Sequence, residues 1–146
     1  MLREKFLNHA KYKNLIDRIY IDRGDSLFNH CKIINSDEVW EFLKKKGFTK
    51  IRLTEMNFKE QIGLFNSANT VIGAHGAGLT NIIFSKSNTK VIELAPENYP
   101  NNFFQRVSQI NNLNYKKIVS QNLKLNNDKR QGDILVDLNN IEKLLN

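Results

Sequence analysis

The sequence predicts an α/β domain: a parallel, doubly wound sheet with helices on both faces. Short runs rich in β-branched and apolar residues alternate with longer stretches of helical periodicity from Arg18 to the C terminus. One such run, Thr70-Val-Ile72, leads through a glycine-rich loop, Gly73 to Gly78, into the apolar stretch Leu79 to Phe84. At 146 residues the chain is large enough for one core and too short for two such sheets. Strands alternating with helices at this rhythm call for right-handed crossovers between parallel strands. Periodicity does not give the strand order.

The elements follow in order. Met1 to Lys13 reads as a short basic helix, with Leu2, Phe6 and Ala10 on one side, and residues 1–15 either as a connector from an upstream lobe or as a native start. Arg18 to Asp22 is the first strand and Arg23 to Ser26 a turn. Asn35 or Ser36 caps the next helix, with Glu38 placed to close a capping box on Asn35. Val39, Trp40 and Leu43 face the sheet, and Gly47 ends the helix at its C′ position. Lys44 to Lys46 fall in the last turn, where positive charge suits the helix dipole.

Phe48 to Leu53 is the second strand. Asn57 and Glu60 form a capping box for a helix with Phe58, Ile62, Leu64, Phe65 and Ala68 on its apolar side. Gln61 lies off that stripe, toward the glycine loop or toward solvent. After the third strand and its loop, Ser85 to Thr89 is a turn and Lys90 to Leu94 the fourth strand. Pro96 and Pro100 bracket an irregular loop holding Tyr99. Asn101 to Asn112 is a helix with Phe103, Phe104, Val107 and Ile110 inward, and Tyr115 to Val119 the fifth strand. Ser120 to Arg130 reads as a mobile loop, with Lys124, Lys129 and Arg130 against Asp128. Asp133 to Val136 is a short strand, and Asp137 caps a terminal helix that packs through Leu138, Ile141 and Leu145.

The chemistry is concentrated in the glycine loop. Strand, glycine loop and helix in that order make an anion site, because helix-initial amides are unpaired and the dipole is positive there. Gly73, Gly76 and Gly78 give G-x-x-G-x-G, the reverse of the dinucleotide fingerprint, and no Lys-Ser or Lys-Thr follows as in a P-loop. His75 inside the loop and Glu93 at the end of the next strand sharpen the reading. In a parallel sheet their strand ends are neighbours, so Glu93 can bridge ribose hydroxyls while the loop holds phosphates. A structural turn histidine and a solvated strand-end glutamate account for the same letters.

Gly73-Ala-His-Gly-Ala-Gly-Leu-Thr-Asn-Ile-Ile-Phe84, followed by Val91-Ile-Glu-Leu-Ala-Pro96, resembles glycosyltransferase family 61. Ile19-Tyr-Ile-Asp-Arg23 resembles that family's strand ending in Ser-Arg. Phe58-Lys-Glu-Gln-Ile-Gly-Leu-Phe-Asn-Ser-Ala68 resembles the helix before its glycine loop, so the likeness spans Ile19 to Tyr115. The family includes capsular-polysaccharide enzymes, plant xylosyl- and arabinosyltransferases and animal N-acetylglucosamine transferases. The resemblance implies one Rossmann-like lobe of a GT-B enzyme, the C-terminal, donor-binding one. It implies an inverting transfer from a nucleotide diphosphate sugar, a uridine diphosphate sugar first, to a glycan or protein hydroxyl, with no metal required.

On that resemblance the donor site comprises Arg23, His75, Gly76, Ala77, Gly78, Leu79, Thr80 and Glu93, with His75 the candidate catalytic residue. Arg23 grips the diphosphate, unless it is an exposed surface arginine. The segment Leu27 to Ser36 departs from the family: Cys31 stands where relatives carry an arginine, with Lys32 beside it, and Ser36 replaces a glutamate. The expected partners are the nucleotide-sugar, the acceptor, and a second lobe, partner chain or homodimer docking near Met1 to Lys13 and the carboxyl ends of the strands. A non-catalytic nucleotide-sugar-binding module, truncated or a subunit of a split transferase, is the alternative.

Composition narrows the remaining classes. The formal charge of +7 suits an anionic partner, yet no strand interleaves aromatic with basic residues, which argues against nucleic-acid binding. The glycine spacing and the lack of Tyr-x-x-x-Lys argue against a dinucleotide oxidoreductase. A single cysteine, Cys31, precludes an intrachain disulfide and a cysteine-based metal site. No apolar run approaches a membrane span, so no transmembrane segment is expected and the expected location is cytoplasmic, with the membrane surface as a second possibility.

Overall fold

The computed structural model describes residues 2–13, 15–24, 30–97, 101–121 and 132–146. Among them five strands form one sheet: β1 (Arg18–Ile21), β2 (Thr49–Ile51), β3 (Thr70–Ala74), β4 (Lys90–Ala95) and β5 (Asn114–Val119). Every pairing is parallel and the order is β2-β1-β3-β4-β5. The helices are α1 (Leu2–Leu7), α2 (Ser36–Lys45), α3 (Phe58–Ser67), α4 (Phe103–Ile110) and α5 (Leu138–Leu145). Two 3₁₀ helices cover Leu53–Glu55 and Ala77–Phe84. The class predicted from the alternation is the class observed. No described helix is long and apolar enough to cross a membrane.

Strand alternation sends side chains to two separate cores. Tyr20, Ile72, Ile92 and Ile118 pack under Val39 and Leu43 of α2 and Ile141 of α5. Ile19, Val71 and Val91 face the other way, under Ile62 and Phe65 of α3, Leu79 and Ile82 of the second 3₁₀ helix and Phe104 of α4. Each fully buried aliphatic side chain contributes about 1.5–3 kcal/mol relative to exposure, so both faces are needed to hold the sheet.

Several elements differ from the sequence reading, each for a local reason. The first helix ends at Leu7, residues 8 and 9 turn the chain, and the backbone at Lys11 then lies against α3. There the Lys11 amide donates to the Lys59 carbonyl at 2.9 Å, and a side chain on Gly63 would meet the Lys11 carbonyl. Ala77–Phe84 is 3₁₀ rather than α-helical. Its three-residue turn stacks Leu79 over Ile82, and both are buried against the sheet. The predicted second strand shrinks to Thr49–Ile51 because Leu53 already opens a 3₁₀ turn.

The Asn57–Glu60 capping box is present, with both reciprocal bonds. The one predicted at Asn35 is not: Asn35 Nδ2 donates to the Val136 carbonyl at 2.9 Å and its Oδ1 accepts from the Val136 amide at 3.1 Å. That clamp fixes the C-terminal segment, where the predicted strand over Asp133–Val136 reduces to a bridge between Ile33 and Ile134. Phe58, Phe103 and Ile110 are exposed instead of inward, at 49, 45 and 81%. Ile110 joins Ile83 and Val107 along an apolar groove beside α1. This is the side of the expected docking face, but the groove's Ser87, Asn111 and Asn112 sit at the amino ends of β4 and β5. Tyr99, Pro100 and the segment with Lys124, Asp128, Lys129 and Arg130 lie outside the described residues.

Candidate functional site

The strand order reverses direction between β1 and β3, and the glycine loop leaves the carboxyl end of β3 at that point. Crevices outside the carboxyl ends at such a reversal are where open parallel sheets bind ligands. Gly73 lies level with Ile21 of β1 and Glu93 of β4 in the sheet register. The loop thus stands between the ends of β1 and β4.

Each loop position has a distinct job. His75 continues the ladder by donating its amide to the Leu94 carbonyl at 2.7 Å. Its own carbonyl accepts a hydrogen bond from Nη1 of Arg23, just past β1. Gly76 has φ +155°, a conformation other residues adopt at a cost, and the Arg23 guanidinium occupies the space a Cβ would take. Gly78 is close-packed for a different reason: a Cβ there would come 3.2 Å from Leu53 Cδ1 and 3.3 Å from Ile21 Cγ2. Gly78 is expected in the donor site, yet a Cβ there would point at these core side chains.

The amide inventory is smaller than expected as well. Leu79 already donates to the Gly76 carbonyl at 3.0 Å, closing the first 3₁₀ turn. A 3₁₀ helix leaves its leading amides without intrahelical acceptors, which here means Ala77 and Gly78 rather than Leu79 and Thr80. Gln61 settles between its two alternatives. It donates to the carbonyls of Leu53 and Met56 and accepts from Asn81 at 3.0 Å, bracing the 3₁₀ helix behind the loop.

Beside the loop lies a cleft of about 230 Å³, lined by Asp22, Arg23, His30, Cys31, Lys32 and Ser36 among others. Among the described residues that line it, cations outnumber carboxylates. The Asp22 carboxylate is engaged by the Gly24 amide at 3.1 Å and by Arg52 Nε at 3.0 Å, whereas Arg23 and Lys32 bring two cations. Ser36 places the N-terminus of α2 at the same cleft, and with Asn35 turned to Val136 no side chain caps it. Cys31 sits at φ +54°, and burial pushes its thiol pKa up, so it is a poor nucleophile. Lys32 lines the cleft beside Cys31, at the segment where the arginine expected from the resemblance is missing.

Glu93 is not at the surface. It is 1% exposed, with Oε1 2.5 Å from His75 Nδ1 and Oε2 accepting from the Tyr115 hydroxyl. A direct ribose contact from this carboxylate is therefore unavailable: both oxygens are engaged below the surface. His75 is 7% exposed, and its ring packs edge-on against Phe104 at 5.2 Å. The structure thus joins Arg23, His75 and Gly76 directly and places Glu93 behind them. Tyr115 escaped the sequence reading, although a glutamate inside the apolar run Val-Ile-Glu-Leu-Ala was a signal that buried donors must exist nearby.

Comparison with known proteins agrees with the motifs. The family model described as Glycosyltransferase 61 matches residues 1–92. Beta-1,2-xylosyltransferase RCN11 of Oryza sativa subsp. japonica is 31% identical over 143 residues, covering 97% of this chain and 25% of the relative. A beta-1,2-xylosyltransferase of Arabidopsis thaliana is 27% identical over 120 residues, 77% of this chain and 21% of the relative. Alpha-1,3-arabinosyltransferase XAT3 of Oryza sativa subsp. japonica is 33% identical over 67 residues, 43% of this chain and 12% of the relative. The chain thus spans about a quarter or less of the length of these relatives.

Proposed function

The chain belongs to glycosyltransferase family 61, and from that premise we propose that it is the donor-binding lobe of a two-lobed, GT-B glycosyltransferase. Its ligand is a nucleotide diphosphate sugar, and its reaction transfers the sugar to a glycan or protein hydroxyl with inversion, without a metal. The names of the relatives make uridine diphosphate pentoses the first donors to try. One observation carries the donor reading: a cleft whose described lining holds more cations than carboxylates lies beside the glycine loop at the strand-order reversal, with Arg23 joining the two.

The chemistry follows from where charge develops. As the bond from the anomeric carbon to the diphosphate breaks, negative charge collects on the departing oxygens. Preset donors stabilise it without reorganising, which is the largest single contribution in many enzymes. Arg23 supplies a forked donor, Lys32 a point charge, and the amides of Ala77 and Gly78 the leading edge of the 3₁₀ helix. Inversion also needs a base on the acceptor's side of the sugar. His75 is buried with Nδ1 against Glu93, which suits holding the loop better than reaching an acceptor, so the base belongs to the facing lobe.

Titration of uridine diphosphate into the chain by calorimetry tests the proposal. Binding that Arg23→Ala weakens by more than about tenfold is expected. Equal affinity in wild type and variant would place the nucleotide elsewhere.

A further inference from the structure

Four residues, one from each of four neighbouring strands or the loop after it, form a hydrogen-bonded row that crosses the sheet, from Tyr115 near the amino end of β5 to the carboxyl ends of β3 and β1. Tyr115 on β5 donates its phenolic proton to Oε2 of Glu93 on β4. Oε1 of Glu93 meets Nδ1 of His75, which follows β3. The His75 carbonyl accepts from Arg23, which follows β1. The sequence of contacts, β5 to β4 to β3 to β1, is the order of strands in the sheet. The row runs from the edge strand to the lip of the cleft.

We infer that Tyr115 is a positioning residue of the donor site, acting through Glu93 to hold His75 and, with it, the glycine loop and Arg23. The inference rests on reading that loop and Arg23 as the anion site. An ionised carboxylate accepts hydrogen bonds and donates none. Buried as it is, Glu93 as a carboxylate needs a donor on each oxygen: the Tyr115 hydroxyl on Oε2 and, in the tautomer that carries its proton on Nδ1, His75 on Oε1. Burial and the bond to Glu93 raise the Tyr115 pKa well above the ordinary range, so the phenol keeps its proton and stays a donor. If that donor is removed, a buried oxygen is left unsatisfied, and the carboxylate must turn or take up a proton. Either response changes the bond from Oε1 to Nδ1. The ring cannot simply follow, because Phe104 packs against it and the His75 backbone is held at its amide by Leu94 and at its carbonyl by Arg23.

Mere packing of the Tyr115 ring makes a different prediction. Tyr115→Phe keeps the ring and deletes only the hydroxyl, so a packing role leaves His75 untouched. The test follows the His75 ring nitrogens by NMR in the full chain labelled at histidine, alongside calorimetry with uridine diphosphate. With the positioning role, Tyr115→Phe melts cooperatively, shifts the Nδ1 resonance, and weakens uridine diphosphate about tenfold, the scale of one hydrogen bond to a charged group. Glu93→Gln shifts the same resonance, and adding Tyr115→Phe to it changes little further. An unmoved Nδ1 resonance overturns the inference, as does a moved one with unchanged nucleotide affinity. If Tyr115→Phe loses cooperative melting, Glu93→Gln alone carries the same two readouts. A resonance that moves while even the wild type binds no uridine diphosphate upholds the coupling and overturns the donor reading alone.

Discussion

The guanidinium of Arg23 lies against the α-carbon of Gly76, in the volume a side chain there would fill. Gly76→Ala therefore meets two penalties at once. The φ of +155° is strained for alanine, at a cost of about 1–3 kcal/mol, and the new methyl group evicts Arg23 from its bond to the His75 carbonyl. The expected outcome is a lowered melting temperature together with loss of uridine diphosphate binding. A variant that melts lower yet binds normally would separate Arg23 from the site.

Arg23 itself is the sharper probe, because it is partly exposed and its removal leaves the core intact. Arg23→Lys keeps the charge but loses the fork that serves the His75 carbonyl and a phosphate together. Calorimetry should give a Kd about tenfold weaker for Arg23→Lys and weaker still for Arg23→Ala, with melting temperatures near wild type. Salt should weaken the wild type more than Arg23→Ala, since fewer charge contacts remain to be screened.

Gly78→Val separates loop chemistry from loop packing. Its Cβ would press on Leu53 and Ile21 at 3.2 and 3.3 Å, already tight before the two γ-methyls are added. Overpacking of this kind costs about 1–3 kcal/mol. The measurement is chemical denaturation: a loss of stability is expected, with residual nucleotide affinity in the folded fraction. A fully stable Gly78→Val that fails to bind would restore the view that this glycine faces the ligand.

The elements that sequence made legible are those set by local chemistry. Alternating β-branched runs, the Asn57–Glu60 box and Gly47 at φ +79° are decided within a few residues. What sequence could not supply depended on neighbours far along the chain. Asn35 abandons its own helix because Val136, 101 residues away, offers two backbone partners. Glu93 reads as a strand-end ligand until β5 is known to lie beside β4 and to bring Tyr115 onto its free oxygen. Gly63 reads as an ordinary helix residue until the backbone at Lys11 crosses it. In each case a long-range contact outweighed a sound local reading.

Glu60 predicts a pH dependence of stability. The hydrogen bond from Lys13, 2.5 Å from Oε1, and then the bond from the Asn57 amide hold its carboxyl pKa below the usual value. A carboxyl depressed in the folded state releases its proton more readily there than in the unfolded chain. Its contribution is therefore present above the unfolded value, about 4.3, and is lost as pH falls through the lower folded value. Melting temperatures of wild type and Glu60→Gln should differ most near neutrality and converge in acid. A gap that widens in acid would contradict the assignment.

The size of the cleft predicts what the chain achieves by itself. Pockets that enclose a drug-sized ligand run from about 300 to 1,000 Å³. The cleft beside the glycine loop, at about 230 Å³, falls below that range. On the proposed reading the diphosphate sits beside Arg23 and Lys32 and the sugar extends out of the cleft. A donor held this way leaves its anomeric carbon in solvent, with no acceptor fixed opposite it. Positioning of two reactants is worth about 7–11 kcal/mol of barrier, and excluding water strengthens every charge contact further. Without a facing wall the chain forfeits both. Uridine diphosphate and a uridine diphosphate pentose should therefore bind with nearly equal affinity, since the pentose adds few contacts. Transfer to a soluble acceptor should stay at background when the purified chain is assayed with donor hydrolysis followed in parallel. Turnover well above background by the monomer would put the catalytic base within this sequence. His75 would then be the first residue to change, and the two-lobed reading would fall.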